Sequence, residues 1–174
     1  CNYWAENQHD VTLVTLDGKQ NDFFQSSARL KRFDLDSYTS SKNLLDKVTA
    51  NLSRLLRIRK IIKQTRPDVV LAFMDVSNVL ATVACLGTGI PVVISERSYP
   101  PYFHDGDWFD RIRRAVYQFS SAFVAQTNKI ADWGRAFLKN KPIVVIVKPL
   151  AEKALNSDLN IPRTKVILGV GRLH

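Results

Sequence analysis

Short hydrophobic runs and helical stripes take turns along this chain. The clearest run is Val69-Val70-Leu71-Ala72-Phe73, entered through Pro67-Asp68 and stopped at Asp75. A second, Ile90-Pro91-Val92-Val93-Ile94-Ser95, stops at Glu96-Arg97. Both are apolar at successive positions and rich in β-branched residues, the pattern of strands buried in a parallel sheet. Val76 to Leu86 lies between them as a small-residue helical segment, and Gly87-Thr88-Gly89 supplies the turn. Strand, helix, turn and strand make a βαβ unit with a right-handed crossover. Its strands run the same way, so Asp75 and Glu96 emerge at one edge. Open α/β sheets bind ligands outside that edge, at the carboxyl ends of their strands.

The rest of the pattern extends this unit. Cys1 to His9 reads as the tail of a helix, and Val11 to Leu16 as a strand closed by Asp17-Gly18. Ala28 to Leu35 alternates Leu30, Phe33 and Leu35 with Lys31, Arg32 and Asp34, which predicts a short strand near a sheet edge. A long helix follows from about Lys42 to Gln64, capped by Ser40 or Ser41 and ended by Thr65-Arg66-Pro67. Leu44, Leu45, Val48, Leu52, Leu55, Leu56 and Ile62 form its predicted buried stripe. Lys47, Arg54, Arg57, Lys60 and Lys63 lie on its other face. That face is either plain solvated surface or an attraction for anionic lipid, worth roughly 1 kcal/mol per basic residue.

Past the central unit, Ser98 to Phe109 combines two prolines, a glycine and five aromatics in one loop. It either serves function or packs over a neighbouring helix. Asp107 is placed to cap a helix from Trp108 to Phe119, with Ile112, Val116 and Phe119 inward and Arg111, Arg113 and Arg114 outward. Ala122 to Ala125 is a buried strand, and Thr127 caps a helix from Asn128 to Leu138. Pro142 to Val147 is another strand, Ala151 to Asp158 a short helical piece, and Lys165 to Val170 a last strand with Gly171-Arg172 at its end. Strands alternating with helices throughout predict an α/β, Rossmann-like, mostly parallel sheet with helices on both faces.

Composition narrows the picture further. The length of 174 residues suits one domain with a real core. No apolar run approaches the ~18 residues of a membrane span, so the chain reads as soluble and globular. The net charge of +9 points to an anionic partner: nucleic acid, an acidic membrane surface or a phosphorylated substrate. Cys1 and Cys85 do not make a disulfide framework, and a reducing cytoplasm is expected. The chain starts with Cys rather than Met and reads as an excerpt of a longer one.

Candidate chemistry gathers at the strand ends: Asp75, Glu96 with Arg97, Gln126 with Thr127, and Lys148. Carboxylates on such a rim suit hydroxyl-rich ligands or proton transfer. The planar fork of Arg97 suits a phosphate or carboxylate. Asp75 also reads as a helix cap ahead of Val76-Ser77-Asn78. His9, His104 and His174 are scattered without metal-ligand spacing, so no metal site is expected. Neither a glycine-rich phosphate loop nor a nucleophile elbow occurs.

Four stretches carry a resemblance. Pro67-Asp68-Val69-Val70, Gly89 to Arg97, Ala122 to Thr127 and Val166-Ile167-Leu168-Gly169-Val170-Gly171-Arg172-Leu173 fall in the order seen in retaining glycosyltransferases of the GT-B fold, family 4 type. The resemblance implies one lobe of a GT-B fold, truncated at both ends. Residues 1–160 would be the acceptor-side domain, lacking its first strand. Residues 161–174 would be a linker and the first strand of the donor-binding domain. The implied activity is hexosyl transfer from a nucleotide-sugar, UDP- or GDP-linked, to a lipid-linked or polysaccharide acceptor. No further cofactor is implied, and the fragment by itself would be inactive. The implied acceptor-binding residues are Glu96, Arg97, Asp75 and Asn78, and Arg172 matches the arginine that contacts the donor diphosphate. The implied location is cytoplasmic, at the inner face of the membrane, with peripheral contact to anionic lipid.

Two departures bear on the acceptor. Arg97 stands where many relatives have histidine, and Lys148-Pro149 where they commonly have Asn-Pro. Apart from the resemblance, a basic α/β domain that binds nucleic acid or a membrane surface without catalysis stays open.

Overall fold

The computed structural model describes residues 1–16, 25–35, 44–102 and 106–148. The expected elements at 151–158 and 165–170, the turn at 17–18, and Arg172 lie outside the described residues.

Among the described residues, six strands and five α-helices follow the predicted order. Helix α1 (Asn2–Glu6) leads into β1 (Thr12–Thr15) and β2 (Lys31–Asp34). Next come α2 (Leu44–Thr65), β3 (Val70–Phe73), α3 (Asp75–Cys85) and β4 (Val92–Glu96). Helix α4 (Asp107–Tyr117), β5 (Ala122–Ala125), α5 (Asn128–Arg135) and β6 (Ile143–Val145) complete the series. Strands β3, β4, β5 and β6 form one sheet in that order, and every pairing is parallel. Strands β1 and β2 pair in parallel as a separate two-stranded sheet.

The four-stranded sheet carries the core on one face. Ala72, Ile94, Phe123 and Ile143 stand in register across it. They pack with Ala81, Ala84 and Cys85 of α3 and with Ile130, Ala131 and Trp133 of α5. Helix α2 reaches the same core through Leu55, Ile58 and Ile62. On the opposite face Leu71, Phe73 and Val144 are 40–48% exposed, while Ser95 between them is buried. Gly87 and Gly89, both at positive φ, make the turn from α3 into β4 that a Cβ would strain. Arg59 donates to the carbonyls of Ala84 and Leu86 at 2.8 Å, satisfying acceptors that the end of α3 leaves open.

Several side chains fall on faces other than the predicted ones. Leu52 and Leu56 of α2 are more than half exposed, whereas Leu55 and Ile62 pack inward as predicted and Ile61 is buried beside them. The pattern of β2 is inverted: Phe33 is exposed while Arg32 turns inward and pairs with Asp34. Thr15 of β1 donates to the same carboxylate at 2.7 Å. Arg113 of α4, predicted outward, is buried, and Phe119, predicted inward, is exposed beyond the helix end. Helix α4 begins at Asp107 after a Gly106 cap, and α5 ends at Arg135, three residues short of Leu138.

Helix α5 lies close against β5 because Gly134 has no side chain. A Cβ there would sit 2.9 Å from Cε1 of Phe123, whose ring is fully buried. Overpacking of this kind costs roughly 1–3 kcal/mol, against a helix-propensity gain for alanine of about 1 kcal/mol. Gly134→Ala is therefore expected to lower the melting temperature by a few degrees in thermal denaturation. An unchanged or raised melting temperature would mean that the Phe123 ring yields freely.

Candidate functional site

The parallel ladder brings the predicted strand-end residues to one edge. Register pairs Phe73 with Ser95 and Glu96 with Ala125, so β3, β4 and β5 end side by side. Asp75, Glu96, Arg97, Gln126 and Thr127 follow from those ends. Lys148 lies exposed three residues past β6.

The tip of β3 is held in an uncommon conformation. Met74, at φ 74 and ψ 155, is the cap residue of α3. A non-glycine residue at positive φ is uncommon, and such strain collects at functional sites. Met74 N donates to Ser95 O at 3.1 Å, tying the bend to β4. Asp75 is thus the first helical residue rather than the cap, and its Oδ1 accepts from Val76 N at 2.7 Å. A carboxylate there also complements the positive end of the helix dipole.

Behind the rim lies a buried polar cluster. Glu96 is 3% exposed and Asn78 is fully buried. The Tyr117 hydroxyl, from α4, donates to Oε1 of Glu96. Nδ2 of Asn78 donates to the Tyr117 hydroxyl and to Ser95 O, each at 3.1 Å. Burial pushes the Glu96 carboxyl above its ordinary value, opposed by the Tyr117 hydrogen bond and the charge of Arg113. Burial and the adjoining carboxylate likewise drive the Tyr117 hydroxyl far upward, which keeps it a donor.

Arg113 lies in the same interior. It pairs with Asp110 one turn back and sits 5.0 Å from the Trp133 ring. Arg114 meets the other Asp110 oxygen at 2.6 Å. Burial raises the Asp110 carboxyl, but the two guanidinium partners outweigh it and leave it below the usual carboxylate range.

Of the four residues expected to bind an acceptor, Arg97 is exposed and Asp75 half-buried, while Glu96 and Asn78 form the floor beneath them. Gln126, with its amide turned so that both ends are satisfied, meets the backbone carbonyl and Nε of Arg97 at 3.3 Å. Thr127 caps α5, accepting from Ile130 N at 3.3 Å. The aromatic loop packs over the start of that helix. Lys129 Nζ lies 4.3 and 4.6 Å from the Tyr99 and Tyr102 ring centres and donates to the Tyr102 hydroxyl. Tyr102 and Trp108 remain about three-quarters exposed. Among the described residues no cluster of His, Cys, Asp or Glu could hold a metal ion.

Sequence reasoning missed Tyr117 and Arg113. The available signal was Asp110, Arg113 and Tyr117 at helical spacing, an acid, a base and a hydroxyl on one face of α4.

A parallel α/β sheet with polar groups collected at its carboxyl edge is an architecture of the Rossmann-like class, in which ligands commonly bind outside that edge. Residues 1–149 match the model of Glycosyltransferase Family 4, and the chain belongs to that family. It is 22% identical over 166 residues to a protein of Campylobacter jejuni subsp. jejuni serotype O:2. That relative is named GalNAc-alpha-(1->4)-GalNAc-alpha-(1->3)-diNAcBac-PP-undecaprenol alpha-1,4-N-acetyl-D-galactosaminyltransferase. The match covers 95% of this chain and 45% of the relative, so the chain spans about half the relative's length. Two solved structures are also similar. A UDP-N-acetylglucosamine 2-epimerase has a TM-score of 0.46 and 22% identity over 65% of this chain and 32% of its own. The UDP complex of S. aureus MnaA has a TM-score of 0.45 and 16% identity over 68% and 36%.

The raised Glu96 carboxyl sets a direction for stability against pH. The folded state keeps this proton where the unfolded chain, at 4.5, has begun to lose it. The group's contribution is fully present below 4.5 and is lost as pH rises through the higher folded value. Glu96→Gln carries no charge at any pH, so its stability relative to wild type should improve steadily as pH rises. Urea denaturation of both proteins from about pH 4 to about pH 8 measures this. A difference flat across that range would show that Glu96 titrates as it does unfolded.

Proposed function

We propose that this chain is the acceptor-side part of a glycosyltransferase that moves a sugar from a nucleotide-sugar donor onto a lipid-linked glycan. The family match over residues 1–149 carries the reading, and it favours sugar transfer over a nucleic-acid-binding role. The Campylobacter relative's name specifies an undecaprenol-diphosphate-linked acceptor, which supports the lipid-linked class here. The donor proposed is a UDP- or GDP-sugar.

On this reading the acceptor lies along the edge formed by Asp75 and Arg97, over the floor of Glu96 and Asn78. Arg97 supplies a fixed, forked cation suited to a diphosphate or to sugar hydroxyls. Arg172, by its resemblance to the family arginine, holds the donor diphosphate. Negative charge grows on that leaving group in the transition state, where a pre-placed cation stabilises it most. Residues 161–174 would begin the donor-binding domain.

The test is transfer by the intact protein from a panel of UDP- and GDP-sugars onto polyprenyl-diphosphate-linked oligosaccharide. The expected product is the acceptor extended by one sugar. Failure with every donor, in a protein shown to be folded, would overturn the reading. Glu96→Gln keeps an acceptor oxygen for Tyr117 but removes the charge, so a charged hydrogen bond becomes a neutral one, and it is expected to cut transfer roughly tenfold, with folding kept. Unchanged turnover would remove Glu96 from the site.

Peripheral contact with anionic membrane belongs to the same proposal, as does a cytoplasmic location. No helix among the described residues is long and apolar enough to cross a bilayer. Helix α2 instead exposes Leu52 and Leu56 beside Arg57 and Lys60, around a hollow of ≈ 400 Å³. Exposed leucines among cations suit an acidic lipid surface. The protein is expected to sediment with vesicles containing anionic phospholipid and to detach as salt rises. Leu52→Glu with Leu56→Glu should abolish this. Equal sedimentation with neutral vesicles, or with the double variant, would contradict it.

A further inference from the structure

The proposed role of the rim leaves open what fixes a buried carboxyl at its centre. Glu96 ends β4, and its carboxyl turns inward rather than out to solvent. Its partners come from two helices. Tyr117 from α4 donates to it, and Asn78 from α3 donates to Tyr117 and to the carbonyl of Ser95 just before it. An Asn78 hydrogen on the tyrosine oxygen leaves the tyrosine's own proton for the carboxyl. The hydroxyl can point one way only. Tyr117 itself is fully buried, with Phe123 tilted against its ring at 6.4 Å. The charged groups acting on the carboxyl are Arg113 from α4 and Asp75 from α3, and Arg97 follows it in the chain.

We propose that Tyr117 is a positioning residue for the acceptor site, its hydroxyl locking the Glu96 carboxyl in one orientation at the tip of β4 and so setting the placement of the Asp75–Arg97 edge. This rests on the proposed function of that edge. Tyr117 touches no substrate and acts through Glu96. A tyrosine that merely filled the core would matter through its ring, and its oxygen would be dispensable to transfer.

Tyr117→Phe removes that oxygen and keeps the ring. In the intact protein it is expected to reduce kcat/KM for the acceptor at least about tenfold, as loss of a hydrogen bond to a carboxylate does, while KM for the nucleotide-sugar stays the same. In a Glu96→Ala background, which leaves the hydroxyl no acceptor, the same change should cost less than about twofold, because residues acting as one unit are not additive. Wild-type kinetics for Tyr117→Phe, or an equal loss in both backgrounds, would overturn the proposal. A second measurement needs no substrate. The Glu96 carboxyl, followed by carbon NMR through a pH titration, should show a higher midpoint in Tyr117→Phe, since the lost hydrogen bond favoured the charged form. An unmoved midpoint overturns the proposal whatever the protein transfers. A raised midpoint in a protein that transfers no sugar supports the lock and overturns the reading of the edge. Should Tyr117→Phe fail to fold, Asn78→Ser removes the group that orients the hydroxyl and takes the same two measurements, with a smaller rise expected.

Discussion

A parallel ladder imposes one constraint from which the rest follows. Strands that all run one way must be joined by crossovers that return to the same starting edge. Each crossover helix therefore leaves from the carboxyl edge, and whatever stands between strand and helix collects there. In β3 through β6 that rule gathers Met74-Asp75, Glu96-Arg97 and Gln126-Thr127 without any contact between them in sequence. The helices starting at this edge, α3 and α5, also turn their N-terminal backbone donors toward it, an environment that favours anions. A polar edge that favours anions is thus a consequence of topology before any side chain is chosen.

The side chains then divide the edge into two layers. Arg97 reaches solvent, whereas Glu96 and Asn78 are withdrawn behind it. A buried carboxylate is costly unless hydrogen-bonded or paired. Here the cost is met by Tyr117 directly and by the charge of Arg113 at longer range. Arg113 would itself be costly to bury, and Asp110 and the Trp133 ring offset that. The chain of dependence thus runs from β4 through α4 to α5, and it connects the centre of the edge to the core. Within it Oδ1 of Asn78, Nε of Arg113 and Nε1 of Trp133 are buried without a hydrogen-bond partner among the described residues, so the network is only partly satisfied.

The legible features of the sequence were the local ones. Apolar runs such as Val69 to Phe73 and Val92 to Ile94 need no partner to be recognised, and parallel order follows from the helices between them. Thr127 was readable as a cap because its chemistry is satisfied within three residues. The phases of α2 and α4 were not readable in the same way. Leu52, Leu55 and Leu56 are equivalent by hydropathy, and only the position of α3 decides that Leu55 packs and the others stay exposed. Arginine is assigned to solvent by default, yet Arg113 is buried because Asp110 stands three residues earlier and Trp133 arrives from another helix. Phe33 and Arg32 exchanged faces for a related reason: Asp34 and Thr15 give the inward arginine its partners. In each case a contact distant in sequence overrode a local preference.

The same contrast bears on where a positive chain keeps its charge. The excess is not spread evenly, because several cations are committed to internal partners. Arg59 is tied to the carbonyl end of α3, Arg57 to the backbone at the end of β2, and Arg113 and Arg114 share Asp110. Their positions are fixed by the fold and serve it. Arg97 differs, since it stands exposed at the carboxyl edge and, among the described residues, its Nε meets the amide oxygen of Gln126. A neutral amide can orient a guanidinium without cancelling its charge. An arginine held in that way retains its field for a ligand, whereas one paired with a carboxylate has largely given it up. Arg97 thus adds a permanent cation to the carboxyl edge, one residue after a buried carboxyl.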